Sequence, residues 1–180
     1  TGLGREAAGV VETVGPGVRD VKAGDRVAYA STAPGAYADE RIMPVASLVP
    51  VPEGVSDRLA AAALLKGMTA QVLLRRTYKV RKGTAVVVHA AAGGVGSILV
   101  QWALHLGAHV IAVVGSDAKA TTVRAMGCQD VLIHGRDDLA ARVKELTGGQ
   151  GAHVVYDSVG KDTFFASLDS LRPLGLMVTY

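Results

Sequence analysis

The 180 residues carry 19 Lys and Arg against 16 Asp and Glu, so the formal charge of +3 reflects two nearly cancelling signs and does not point to nucleic acid. With 49% hydrophobic residues and a mean hydropathy of +0.30, the chain can bury a sizeable core without covalent staples, as one or two small domains. A single cysteine, Cys128, excludes an internal disulfide and a multi-cysteine zinc site, and makes a reducing compartment, the cytoplasm by default, the expectation.

No apolar stretch reaches the roughly 18 to 20 residues that a bilayer requires, and no basic-then-apolar leader opens the chain, so it reads as soluble. A first residue of Thr and a strand-like close, GLMVTY, lead us to expect a fragment cut at both ends.

Residues 1 to 50 hold short runs such as AAGVVETV and DRVAYA between GPG, AGD and APG, the punctuation of short strands joined by turns. At SDRLAAAALLKG the texture becomes helical. Ser56 or Asp57 can cap the start, Gly67 can end it, and a second helix is expected over MTAQVLLRRTY. Beyond Gly83 a regular alternation is predicted: strand 84–89, helix 95–106, strand 109–114, helix 117–126, strand 130–133, helix 138–147, strand 153–157, helix 161–171 and strand 175–180. Apolar strands that do not alternate in polarity, each followed by an amphipathic helix, indicate a parallel sheet covered on both faces.

The turn after the first of these strands reads AAGGVG over residues 91–96, which fits G-x-G-x-x-G with Ala91 in the first place, Gly93 in the second and Gly96 in the third. Alone, the pattern serves equally as a tight crossover from strand to helix. Between a buried strand and a helix, with a second strand at the expected distance, it reads as a seat for a pyrophosphate, whose charge free helix-terminal amides hold. An NAD site usually places Asp or Glu at the tip of the second strand. Here HVIAVV runs into Gly115 and Ser116, and Lys119 stands a helical turn beyond. A hydroxyl and an ammonium suit a 2′-phosphate, and so NADP over NAD. The alternative makes Ser116 a helix cap and Lys119 a solvated charge, and Asp117 would repel a phosphate if it pointed inward.

Together GREAAGVVETVGPGV, AGDRVAYA, GAYADE, LLKGMTAQVLLRRTY, VHAAAGGVGSILVQWA and VVYDSVGKDTF resemble the NADPH-dependent quinone oxidoreductases, the zeta-crystallin-like branch of the medium-chain dehydrogenases/reductases, over nearly the whole chain. The resemblance implies an α/β fold: a Rossmann doubly wound parallel sheet preceded by part of a GroES-like β domain. It assigns 1–66 to the partial GroES-like domain and linking helix and 67–180 to the NADP-binding domain, with the active site in the cleft between domains.

Zinc alcohol dehydrogenases of the same superfamily carry G-H-E-x-x-G-x5-G-x-x-V. This chain matches it at Gly4, Glu6, Gly9, Gly15 and Val18, with Arg5 in the place of the zinc-binding His. A guanidinium cannot ligate zinc, and the four-cysteine lobe of those relatives is absent too, which points to the zinc-free branch and to no metal. Carried across residue by residue, the resemblance implies that Gly93, Gly94 and Val95 approach the pyrophosphate, that Gly115, Ser116 and Lys119 bind the 2′-phosphate, and that Ser158 lies beside the cofactor. His134 stands where close relatives have a Tyr. It could touch the phosphate, more strongly when protonated, or be an exposed loop residue. The family's upstream and downstream segments are missing here, so no catalytic residue is assigned.

Other constellations carry less. Tyr156 and Lys161 do not make a Tyr-x-x-x-Lys pair, since the spacing is five and Tyr156 lies in a predicted strand. His89 reads as a packed, hydrogen-bonded residue and Trp102 as helix-to-sheet packing. Arg75, Arg76, Lys79, Arg81 and Lys82 are the best case for nucleic acid, as some zeta-crystallin-like proteins bind RNA, but cations at a helix C-terminus also offset its dipole. The leading expectation is zinc-independent hydride transfer from NADPH to a quinone or conjugated carbonyl, in a protein that forms homodimers. The alternatives are an enoyl or alkenal reductase of the same superfamily and a non-catalytic NADPH-binding or RNA-binding module.

Overall fold

Antiparallel pairing dominates the first third of the chain. The computed structural model describes residues 2–31 and 33–180 and divides within the first long helix, into a unit running through Met68 and a second from Thr69 to Tyr180. In the first, β1 (Glu6–Val10), β2 (Arg26–Ala30) and β3 (Val49–Pro50) form an antiparallel sheet in that order. Val27, Ala28 and Tyr29 of the central strand are its buried residues.

Helix α1 (Asp57–Gln71) resolves the choice of cap. The Ser56 hydroxyl accepts the Leu59 N–H at 3.2 Å, whereas the Asp57 carboxylate is held by the Arg26 guanidinium at 2.6 Å. The expected stop at Gly67 does not occur. A glycine ends a helix by turning to positive φ, and Gly67 does not. The good helix formers after it carry α1 to Gln71, where it widens into a π-turn over Val72–Thr77 in place of the separate helix expected there. The wider turn aims the Leu73 carbonyl at two donors, the Tyr78 N–H at 3.1 Å and the buried Tyr156 phenol at 2.8 Å.

The second unit is built on a five-stranded sheet of β4 (Ala85–Val88), β5 (His109–Val114), β6 (Asp130–Ile133), β7 (Ala152–Asp157) and β8 (Leu171–Thr179), all parallel, in the order β6-β5-β4-β7-β8. Between them run α2 (Gly94–His105), α3 (Asp117–Ala125), α4 (Leu139–Leu146) and α5 (Phe164–Asp169). Successive side chains of β4 point to opposite faces, and each face has its own core. Val86 and Val88 pack with Leu99, Val100 and Val123 from α2 and α3. Val87 packs with Leu139 and Val143 of α4. Helices on both faces explain why the strands read as unbroken apolar runs.

The strands predicted at 84–89, 109–114, 130–133 and 153–157 lie within one residue of the observed ends of β4 to β7. The last two elements differ. Expected over 161–171, α5 spans only Phe164–Asp169, and β8, expected from 175, starts at Leu171. Its register against β7 slips between Ala152 and Val154, at a bulge holding Pro173, Gly175 and a Leu174 with φ of 60°. Pro and Gly inside a strand imitate a turn in the sequence. Among the described residues no helix is long and apolar enough to cross a membrane.

Candidate nucleotide-binding site

Chain order places the site. From β4 the chain steps outward through β5 to β6, then returns across β4 to β7 on its other side. The crossovers on either side of β4 therefore diverge, leaving a crevice beyond the carboxyl ends of β4 and β7, the usual ligand position in such sheets. The turn from β4 to α2 sits at this point. Ala90 takes a φ of 47°, its carbonyl accepts the Gly93 N–H at 2.8 Å, and the Ala91 N–H reaches the Val113 carbonyl at 3.1 Å.

Two observations make this turn a cradle. A Cβ on Gly96 would stand 2.3 Å from the Ala90 carbonyl oxygen, so only glycine lets α2 begin this close to the strand. Gly93 caps α2 without any side-chain hydrogen bond, which leaves the amides of the first turn, Gly94 and Val95 included, without a side-chain acceptor. An anion of pyrophosphate shape fits this arrangement.

The neighbouring strand ends gather the other predicted residues. Gly115 and Ser116 are exposed at the tip of β5, and nothing lies within 4 Å of a Cβ built on Gly115. The Ser116 hydroxyl accepts the Lys119 N–H at 3.4 Å as N-cap of α3, so Ser116 does cap the helix while its oxygen stays at the surface, and the Lys119 side chain is exposed. β5 and β6 are neighbours, and the His134 N–H donates to the Val114 carbonyl at 2.8 Å, which holds the turn after β6 beside the tip of β5. His134 is exposed and, with His89, Ile133, Asp138, Thr163 and Ala166, lines a cavity of about 220 Å³. Ser158, just past β7, is exposed. Burial pushes the Tyr180 phenol up, and the Ser158 side chain acts in the opposite direction. All eight predicted residues thus lie along one edge of the sheet, at the ends of β4, β5, β6 and β7.

Sequence reasoning missed the buried polar cluster beneath this edge. The Asp157 carboxylate, at the end of β7 and 1% exposed, accepts the Val159 and Gly160 N–H groups at 2.8 and 3.0 Å and the Thr163 and Ser167 hydroxyls at 2.7 and 2.8 Å. Burial pushes its carboxyl up, yet these bonds together hold it below the usual carboxylate range. The Ser167 hydroxyl also lies 3.0 Å from His89 Nε2. An ionised Asp157 cannot donate, so the single Ser167 proton points to it and His89 Nε2 must carry the proton shared with Ser167. Burial lowers the His89 pKa, opposed by Asp157 and helped by His134, so the ring is neutral with Nδ1 bare. His89 is thus the hydrogen-bonded residue expected. The separation of 78 positions between His89 and Ser167 hides the cluster from sequence spacing.

The residues expected to bear on a metal do not fit one. Arg5 offers a guanidinium. Buried Cys128 donates to the Val110 carbonyl at 3.3 Å, and burial raises its thiol pKa away from the thiolate that ligates zinc. Among the described residues no three His, Cys, Asp or Glu side chains converge as ligands. Tyr156, its phenol committed to Leu73, is fully buried, which removes it from any surface chemistry. The exposed Arg75, Arg76, Lys79, Arg81 and Lys82 precede β4 in the chain, and Arg81 and Lys82 lead into its amino end, away from the glycine turn.

Known proteins resemble the chain along its whole length. The family model described as an alcohol dehydrogenase GroES-like domain matches residues 1–53, and that described as a zinc-binding dehydrogenase matches residues 94–180. A 2-haloacrylate reductase of a Burkholderia species is 50% identical over 99% of the chain and 54% of its own length. A quinone oxidoreductase of Pseudomonas aeruginosa is 47% identical over the entire chain and 55% of its own length. The crystal structure of the Escherichia coli quinone oxidoreductase in complex with NADPH superposes with a TM-score of 0.94 at 47% identity, covering 98% of the chain and 54% of the other. The chain therefore spans about half the length of the curated relatives it matches.

Proposed function

We propose that the chain belongs with the quinone oxidoreductases, with which it shares 47% identity along its length, that its second unit binds NADPH, and that the protein these residues build passes hydride from NADPH to a quinone or similar conjugated carbonyl. The observation that carries the reading is the carboxyl edge of the sheet, where an uncapped glycine turn at the switch point lies next to a β5 tip that offers a hydroxyl and no carboxylate. When bound, the cofactor supplies a hydride from its nicotinamide ring; the chain's residues supply binding and orientation. Gly93, Gly94 and Val95 would present amides to the pyrophosphate. Gly115 would leave room for the adenosine ribose. Ser116, Lys119 and His134 would receive the 2′-phosphate, and Ser158 would stand beside the cofactor.

The neutral His89 and the ionised Asp157 are positioning residues in this scheme. Their cluster locks the backbone from Val159 to Thr163, the wall of the crevice on the β7 side, so that Ser158 is held in place while a nucleotide exchanges. The protein is proposed to work in the cytoplasm as a homodimer. The domain boundary after Lys66 is likewise our proposal.

A second reading is favoured by the 2-haloacrylate reductase at 50% identity: the same cofactor site would serve reduction of an activated carbon–carbon double bond. The test of both is to incubate the full-length protein with NADPH and either a small quinone or a 2-substituted acrylate, following the absorbance of the reduced nicotinamide. Faster loss with the quinone supports the leading reading and faster loss with the acrylate the second. NADPH binding without turnover of either would contradict both.

A further inference from the structure

The carboxylate nearest the tip of β5 is Asp117, and how it is held bears on which cofactor the site prefers. In the NAD-type arrangement a carboxylate at this tip accepts a hydrogen bond from the ribose 2′-hydroxyl. In an NADP-type site the same charge would repel the 2′-phosphate. Asp117 is not free to do either. Both of its oxygens are taken by the Arg136 guanidinium, with contacts of 3.2, 3.3 and 3.3 Å from two nitrogens. Arg136 reaches it from the turn after β6, which the His134 N–H to Val114 carbonyl bond holds against β5.

We propose that Arg136 and Asp117 form an exchangeable ion pair that sets cofactor preference: a 2′-phosphate draws the guanidinium off Asp117 to itself, whereas a 2′-hydroxyl leaves the pair closed. The idea rests on the NADPH reading above and adds Arg136 and Asp117 to its residues. The pair suits an exchange because it is exposed, with side-chain accessibilities of 59% and 80%, and exposed pairs are weak and screened. A phosphate monoester carries more charge than a carboxylate and presents the oxygens a planar fork grips two at a time. The other carboxylates of the turn are engaged elsewhere, Asp137 with the Ile133 N–H at 2.6 Å and Asp138 with the Ala141 N–H at 3.1 Å. Released from Asp117, Arg136 would join Lys119 and the Ser116 hydroxyl around one anion. With a 2′-hydroxyl the closed pair keeps Asp117 from accepting, so the NAD-type contact is withheld.

Fluorescence titration of the chain with NADPH and with NADH tests this on Arg136→Gln and Asp117→Asn, with circular dichroism to confirm that both variants fold. Arg136→Gln should weaken NADPH about tenfold or more, the scale of one charge-assisted contact, and leave NADH equally tight or tighter, because Asp117 is then free to accept from the 2′-hydroxyl. Asp117→Asn, which frees the guanidinium in advance, should leave NADPH equally tight or tighter. Equal losses for both cofactors in Arg136→Gln, or weaker NADPH binding in Asp117→Asn, would overturn the exchange while the cofactor reading stands. If the unmodified chain bound no NADPH, the cofactor reading would fall and the exchange with it.

Discussion

A methyl group at Gly96 would stand 2.3 Å from the Ala90 carbonyl oxygen and 2.9 Å from two further backbone atoms, while one at Gly115 would meet nothing within 4 Å. The fold therefore demands glycine at the first position and not at the second, where positive φ is also absent. This separates packing from binding. Gly96→Ala should destabilise the chain by about 1–3 kcal/mol, the usual cost of overpacking against backbone, read as a lower midpoint in chemical denaturation. Gly115→Val should leave that midpoint unchanged and weaken NADPH binding, because it fills the space that the proposed site leaves for the ribose. Loss of stability in Gly115→Val, or unchanged NADPH affinity, would mean that the open space has another origin. At this scale the sequence was legible wherever small residues cluster, since Ala91, Gly93 and Gly96 announce a close approach by their sizes. It was not legible for Asp157 or Arg136, whose roles depend on partners from other elements: His89 lies just past β4, and Asp117 lies 19 positions from Arg136.

Elements were readable in proportion to how local their causes are. β4 and, after His109, β5 are runs of Val, Ile and Ala buried on both faces, and α3 and α4 open on the caps Ser116 and Asp138, so pattern and punctuation agree. The π-turn over Val72–Thr77 had no such sign, because it exists for a distant partner. Tyr156 on β7 needs an acceptor for its buried phenol and finds it in the Leu73 carbonyl, which the wider turn aims at it. Burial then raises the phenol's pKa, so it donates throughout the physiological range. Tyr156→Phe should cost about 1 kcal/mol, since the Leu73 carbonyl keeps the Tyr78 N–H as a partner. The check is urea unfolding. An unchanged midpoint would mean that the π-turn is held by the apolar contacts of Leu73 and Leu74 alone.

For the whole molecule the buried titratable groups give stability a definite pH dependence. Burial lowers the pKa of His89, and lowers that of His153 with help from Arg172. Nδ1 of His153 must stay bare to accept the Ala85 N–H at 3.0 Å. Both rings are held neutral in the fold, so below the unfolded value of about 6.5 the unfolded chain binds more protons and stability falls. Asp157, held below its ordinary value, adds a second loss as pH drops through about 3.9. Urea midpoints should therefore decline from pH 8 to pH 5.5, and His153→Asn, which keeps an acceptor and removes the titration, should flatten the decline; a flat or rising profile in the unmodified chain would contradict it. Strand order, glycine turn and β5 tip converge on one claim, that the carboxyl edge of this sheet is an NADPH site. The most direct measurement is a pair of equilibrium titrations of the chain with NADPH and NADH. The account predicts NADPH tighter by about tenfold or more, and equal affinities, or a preference for NADH, would contradict it.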